Sequence, residues 1–155
     1  MKNKPAELLG TWFGCGYWPW GPGTAGSLGA VIPAVLIERY AGWPPWAFGA
    51  LGLLAFAPAV WAAGVVAREK QIEDPHIVVV DEVVGQWITI AGARELEWKS
   101  WLAAFVLFRL FDIWKPWPVN RLERLPGGLG IVADDAMAGV YGALVLWAAG
   151  WFNLY

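Results

Sequence analysis

The chain has 155 residues, of which 58% are hydrophobic and 15% charged, with a mean hydropathy of +0.47 and a formal net charge of −2. A charge this close to zero, without a basic stripe, excludes a nucleic-acid-binding surface, and a single cysteine excludes an internal disulfide. Soluble domains carry about 45–50% apolar and about 25% charged residues, so this composition favours a membrane protein, with a soluble helical protein of unusually large core as the alternative.

Apolar segments divide the chain into candidate helices, and no repeat or linker separates a second domain, so one domain over 1–155 is expected. Segment 25–40 is short and contains Pro33. Segment 46–67 has no charge and is the strongest transmembrane candidate. The remaining segments are 77–92 and 100–114, which are short for spans, and 136–155, which is long enough. The expected fold is an all-α bundle, integral to the membrane, with about four to five hydrophobic helices and short or re-entrant ones near the site.

The positions of Lys and Arg predict an orientation. With five crossings and the N-terminus inside, one side carries Lys2, Lys4, Arg68, Lys70, Lys115, Arg121 and Arg124. The other side carries Arg39, Arg94 and Lys99. The positive-inside rule makes the first side cytoplasmic, and no secretory signal is present, so a multi-pass protein of the bacterial inner membrane is expected. The same topology gathers several acidic residues near the cytoplasmic ends of their segments, which predicts a site on that face.

Asp81 and Glu82 are adjacent carboxylates inside the apolar segment 77–92. An unpaired carboxylate at bilayer depth costs roughly 2.5–3.5 kcal/mol on insertion scales, so a partner is expected. Neighbouring side chains on a helix point about 100° apart, and the two acids are expected to face different partners. A structural ion pair with Arg109 is the alternative to a functional site.

Arg109, Asp112 and Lys115 follow one another at intervals of three in 108-FRLFDIWKPWP-118, before Pro116 ends the helix. This spacing places one acid between two cations at a helix end. An ion pair three residues apart is an equally good structural explanation.

Asp134 and Asp135 follow a glycine-rich stretch in 126-PGGLGIVADDAMAG-139. One of them is expected to cap the last helix or to lie in its first turn, although capping explains only one of the pair. Metal ligation is the other interpretation.

Gly21, Gly23 and Thr24 lie in a glycine-rich stretch, 19-PWGPGTAGSLGA-30, before a predicted helix. Free backbone N–H groups at such a helix start suit a phosphate. The stretch lacks the Walker pattern, so it implies no nucleotide, and a plain turn before a close-packed helix is the alternative.

The acidic residues occur without a cluster of histidine or cysteine. Cys15 has no Arg six positions further on, and His76 is the only histidine, which excludes a cysteine-phosphatase loop and disfavours a two-histidine phosphatase. Oxygen ligands of this kind select Mg²⁺ or Mn²⁺ over Zn²⁺. A small cation transporter or channel, with acids spread through the bilayer depth, is an alternative function, and a scaffold of ion-paired acids is another.

Four ordered segments resemble the phosphatidylglycerophosphatase A family: PWGPGT at 19–24, DP…VDEVVGQW at 74–87, FRLFDIWKPWP at 108–118 and GGLGIVADDAMAG at 127–139. The resemblance covers nearly the whole chain. It implies a Mg²⁺-dependent phosphatase of the bacterial inner membrane, which converts phosphatidylglycerophosphate to phosphatidylglycerol by removing the terminal phosphate. The expected partners are this lipid and the bilayer, with no nucleic acid and no obligate protein partner.

The same resemblance implies roles for individual residues. The expected Mg²⁺ ligands are Asp81, Glu82, Asp112, Asp134 and Asp135. The expected catalytic residues are Asp74, Asp81, Glu82, Arg109 and Lys115, with Asp74 or Glu82 orienting a water and the two cations stabilising phosphate oxygens. Gly21, Gly23 and Thr24 are expected to bind the substrate phosphate, and His76 has no assigned role.

Overall fold

A computed structural model describes residues 1–154, and all regular secondary structure in that range is helical, which confirms the all-α prediction. The α-helices of this range are α1 Lys4–Gly10, α2 Pro22–Ala41, α3 Pro45–Lys70, α4 Val80–Ile90, α5 Trp98–Trp114, α6 Val119–Leu122 and α7 Gly128–Trp151. A short 3₁₀ helix, Cys15–Tyr17, lies between α1 and α2. Each of the five predicted apolar segments overlaps one helix. In chain order these helices are α2, α3, α4, α5 and α7.

Helix α7 begins at Gly128 instead of at 136, because its glycine-rich first turn packs directly on α3. A Cβ added to Gly128 would lie 2.0 Å from the carbonyl oxygen of Val60, so only glycine fits there. Close packing thus keeps a sequence of low helix propensity in the helix. Asp134 and Asp135 therefore lie beyond the first turn, and the prediction that one of them caps the helix or lies in that turn is wrong.

Two helices, α3 and α7, are long and apolar enough to cross a membrane, fewer than the four to five expected. At 1.5 Å per residue they measure roughly 39 and 36 Å, against a hydrocarbon core of about 30 Å. Helix α4 has 11 residues and measures only roughly 16 Å. Its apolar side chains are covered by protein instead: α4 contacts α2, α3, α5 and α7, and ten of its residues are buried. Because four helices surround it, α4 is buried on nearly every side, including the side that carries Asp81 and Gln86.

The contact between α4 and α7 brings the two backbones together at small residues. A Cβ on Gly139 would lie 2.4 Å from the carbonyl oxygen of Gly85. One turn further along α4, the Thr89 hydroxyl donates to the carbonyl oxygens of Gly85 (3.0 Å) and Gly139 (3.2 Å). Small residues of this kind permit close helix packing in membrane proteins. Asp81 and Asp135 each precede one of these glycines by four residues, so the same contact sets the distance between their side chains.

We expect Gly139→Ala to destabilise the protein by about 1–3 kcal/mol, because the new methyl group meets backbone that cannot move aside. Thermal unfolding of the purified protein in detergent measures the effect as a lowered midpoint. The control is Val140→Ala, the next residue of α7, whose side chain is exposed. An unchanged midpoint for Gly139→Ala would show that α4 and α7 are not in backbone contact.

Candidate active site

A cavity of about 1240 Å³ opens at one end of the bundle, where α2, α4 and α7 begin and α3 and α5 end. Pockets for small ligands usually measure about 300–1,000 Å³, so there is room for more than a phosphate ion. Its charged lining residues are Arg68, Glu73, Asp74, Asp81, Glu82, Arg109, Asp112, Lys115, Glu123, Arg124, Asp134 and Asp135. The predicted gathering of acids on one face is therefore confirmed in the fold.

Three carboxylates converge in this cavity and form what we call the acid cluster: Asp81, Glu82 and Asp135. Asp81 and Glu82 come from the first turn of α4, and Asp135 comes from α7. One oxygen of each lies within 4.8 Å of the others. Asp81 Oδ1, Glu82 Oε2 and Asp135 Oδ2 are buried and have no hydrogen-bond partner in residues 1–154. Buried polar atoms are normally paired, so this donor set fits a metal ion.

The charges of the acid cluster are costly without a cation. Helix α4 is too short to span a membrane, and its carboxyl groups lie in the protein interior at the cavity. Burial raises the pKa of the Asp81 carboxyl well above its usual value, and the nearby charges of Glu82 and Asp135 raise it further. Burial also raises the pKa of Glu82, although the charge of Arg109 opposes this. A bound cation would stabilise the ionised forms of all three.

Arg109 is held by two acids on the α2 and α5 side of the cavity. Its guanidinium forms an ion pair with Asp112, as in the structural alternative that the spacing of three residues left open. The same Nη1 atom lies 3.8 Å from Glu82 Oε1, so the predicted partner of the acidic pair does contact one of its members. A Cβ on Gly23 would lie 2.2 Å from Glu82 Oε1 and 3.1 Å from Arg109 Nη1. Glycine at this position therefore leaves room for the ion pair.

Lys115 connects the end of α5 to α7. It terminates α5 with a left-handed backbone (φ 46°), and its Nζ lies 2.7 Å from Asp134 and 2.8 Å from Glu123. Burial alone would lower the pKa of this ammonium, but the hydrogen bonds to Asp134 and Glu123 outweigh it and raise the pKa above its usual value. Lys115 is therefore a fixed cation, and Asp134 is its partner.

The other predicted site residues lie at the rim or outside. Asp74 and His76 line the cavity with exposed side chains, and neither belongs to the acid cluster. Gly21 and Gly23 line the cavity at the start of α2. Thr24 is exposed and is not one of the lining residues, so its position gives no support to the predicted contact with phosphate.

Several residues of this region were not singled out as site residues in the sequence, among them Arg68, Arg124, Gln86 and Glu123, the second partner of Lys115. Arg68 and Arg124 line the cavity but had been used only to predict orientation. Gln86 lies one turn after Glu82 on α4, is fully buried, and has no hydrogen-bond partner for either amide atom in residues 1–154. The sequence did carry a signal for Gln86. It is a polar residue within an apolar segment, four positions after Glu82, and residues at this spacing share a helix face.

Comparison with known proteins finds one matching family model and several similar bacterial proteins. The family model for phosphatidylglycerophosphatase A matches residues 8–150. Proteins named phosphatidylglycerophosphatase A from Escherichia coli and Haemophilus influenzae are 36% and 35% identical, over 96% and 97% of this chain and 85% and 92% of their own lengths. A Bacteroides thetaiotaomicron protein provisionally named phosphatidylinositol-3-phosphatase is 41% identical over 93% of this chain and 92% of its own length. No solved structure matches the chain significantly.

We expect Asp81→Asn and Asp135→Asn each to weaken Mn²⁺ binding by at least about 10-fold, because each removes a charged ligand atom from the acid cluster. Titration of the purified protein with Mn²⁺, followed by electron paramagnetic resonance, measures the affinity. Asp112→Asn is the matched control, since Asp112 is engaged by Arg109. Equal weakening by all three substitutions would contradict the assignment of the ligands.

Proposed function

The chain belongs to the phosphatidylglycerophosphatase A family, and we propose that it hydrolyses the terminal phosphomonoester of phosphatidylglycerophosphate. The products would be phosphatidylglycerol and inorganic phosphate. The observation that carries this proposal is the buried acid cluster next to two fixed cations, in a cavity wide enough for a lipid headgroup. This arrangement suits a reaction in which a highly charged phosphate must be bound and attacked by water.

We assign Mg²⁺ to the acid cluster, with Asp81, Glu82 and Asp135 as its protein ligands. An all-oxygen donor set with several carboxylates favours this ion. Once bound, Mg²⁺ would neutralise phosphate charge and lower the pKa of a water molecule. The other two predicted ligands, Asp112 and Asp134, would act by orienting Arg109 and Lys115 instead.

The residues of the chain would bind and orient the phosphomonoester. Arg109 and Lys115 would donate hydrogen bonds to its oxygens, in positions that their carboxylate partners already fix. The first N–H groups of α2, after Gly21, would contribute at the same end of the cavity. Asp74, at the rim, would accept a proton from the attacking water. The bond from phosphorus to the glycerol oxygen then breaks, and the leaving alkoxide takes up a proton from solvent water, to which Asp74 returns the proton that it accepted.

The distribution of exposed aromatic residues supports a membrane setting. Large apolar side chains are exposed along the middle of α2, α3, α5 and α7, including Ile32, Leu53, Leu54, Val106 and Leu144. Exposed tryptophans occur near both ends of the bundle: Trp18, Trp20, Trp114 and Trp117 at the cavity end, and Trp46, Trp98, Trp147 and Trp151 at the other. Such aromatic belts mark the two membrane interfaces.

The cavity end also carries most of the Lys and Arg residues, in the division that the sequence predicted. By the positive-inside rule, the cavity would face the cytoplasm in a multi-pass protein of the bacterial inner membrane. The substrate's acyl chains would stay in the bilayer while its headgroup enters the cavity.

The acids of the cavity do not favour a cation channel. A channel requires charged or polar side chains through the depth of the bundle, whereas the acid cluster and its two ion pairs lie together at one end. A second lipid substrate has more support. The 41% identical relative bears the name of a phosphatase acting on phosphatidylinositol 3-phosphate, which also presents a phosphomonoester on a lipid headgroup.

Phosphate release by the purified protein in mixed micelles tests both candidate substrates. We expect release from phosphatidylglycerophosphate with Mg²⁺ and at least about 100-fold less after chelation, because the uncompensated acid cluster would repel the phosphate. Faster release from phosphatidylinositol 3-phosphate would instead favour the second candidate. A folded protein that releases phosphate from neither lipid would refute the proposed function.

We expect Gly23→Ala to lower kcat/KM by at least about 10-fold while leaving the thermal midpoint within a few degrees, since the new methyl group meets side-chain ends and not backbone. The new methyl group would meet Glu82 Oε1, the far end of a side chain that can move, so the fold tolerates it but the carboxylate is displaced. Thr24→Ala is the control, since Thr24 is exposed outside the cavity. Normal turnover by Gly23→Ala would show that the position of Glu82 is unimportant.

A further inference from the structure

The cationic side chains of the cavity divide into two groups. Arg109 and Lys115 are each engaged by two carboxylates. Arg68 and Arg124 also line the cavity, but within residues 1–154 neither guanidinium forms an ion pair or donates a hydrogen bond. Positive charge with no protein partner in a ligand-sized cavity is available to an anion of the ligand.

The two unpaired arginines come from α3 and from the loop before α7. Gly64 packs against the first residue of α7, since a Cβ there would lie 3.3 Å from Gly128 N. Arg68 follows one turn later in α3, and its Nη1 lies 4.0 Å from the same Cβ position, so its guanidinium lies along this contact. Arg124 belongs to the loop that leads into α7. Arg109, in contrast, contacts Glu82 beside Gly23 of α2.

We propose that Arg68 and Arg124 form a second anion subsite, which binds the phosphodiester joining the substrate's headgroup to its lipid. This inference rests on the proposed function and specifies its substrate class: a lipid that has both a phosphomonoester and a phosphodiester. Phosphatidylglycerophosphate and phosphatidylinositol 3-phosphate both meet this description, whereas phosphatidic acid has only the monoester. The cavity, at about 1240 Å³, has room for a headgroup with two phosphates.

A structural role for these arginines makes a different prediction. Arg68 lies in the last turn of α3, where a cation stabilises the helix end, and basic residues near an interface also attract anionic lipid. Either role would affect all lipid substrates to the same extent. A phosphodiester subsite affects only those lipids that have the diester.

The test compares Arg68→Gln, Arg124→Gln and the double variant with the parent protein. For each, kcat/KM is measured with phosphatidylglycerophosphate and with phosphatidic acid of the same acyl chains, in the same micelles and Mg²⁺ concentration. We expect the double variant to lose at least about 10-fold with the first lipid, mainly through KM, and less than about 2-fold with the second, as expected for lost charge-assisted hydrogen bonds. Arg121→Gln is the matched control, because it removes the same charge from α6 outside the cavity lining.

Binding of a lipid that has only the phosphodiester tests the subsite independently of turnover. Dihexanoyl phosphatidylglycerol has the diester without the monoester, and calorimetry measures its affinity for the parent and variant proteins. We expect at least about 10-fold weaker binding by the double variant and an unchanged affinity for Arg121→Gln. Equal losses with both substrates, equal losses in the control, or unchanged phosphatidylglycerol binding would each overturn the subsite. Failure of the proposed function would appear separately, as absence of phosphate release by the folded parent protein.

Discussion

The close contact between α4 and α7 is the constraint on which the site depends. Gly85 and Gly139 allow the two backbones to meet, and Thr89 hydrogen-bonds to both of their carbonyl oxygens. Asp81 and Asp135 lie one turn closer to the cavity on the same two helices, so their carboxylates cannot move apart without separating the helices. Packing energy thus holds together charges that would otherwise repel one another, which is a common way to prepare a metal site.

The charged groups of the cavity differ in whether the protein itself supplies a partner of opposite charge. Arg109 and Lys115 are each shared between two carboxylates, so their positions are fixed before a ligand arrives. Each residue of the acid cluster has a buried oxygen without a hydrogen-bond partner in residues 1–154, and so does Asp134 at Oδ1, whereas Asp112 Oδ2 and Asp134 Oδ2 are paired with Arg109 and Lys115. The site therefore combines the acid cluster, which favours an added cation, with Arg109 and Lys115, which present oriented hydrogen-bond donors. A phosphate bound between them would contact both, which is the arrangement a metal-assisted hydrolysis requires.

Sequence patterns predicted where the helices lie better than they predicted what packs against each helix. Hydropathy identified α4 as an apolar segment, but it could not show that protein rather than lipid covers that helix. The glycine-rich stretch before Asp134 was expected to precede the last helix, and the contact of Gly128 with α3 explains why this stretch is helical despite its low helix propensity. Spacing predicted the pair of Arg109 with Asp112, whereas the pairs of Lys115 depend on tertiary contacts between α5, the following loop and α7.

The short length of α4 explains how a chain with so apolar a surface keeps its charges away from hydrocarbon. An ionised carboxylate exposed to lipid is costly, but Asp81 and Asp135 are only 8% and 4% exposed and lie in the first turn of α4 and in the cavity half of α7. The surrounding helices cover the sides of α4, so the cavity end is the open approach to these acids. In a bilayer, that end would lie near the headgroups, between exposed tryptophans of the loops beside α2 and α5. A lipid phosphate could then reach the acid cluster while its acyl chains remain outside the protein, so the substrate need not leave the membrane.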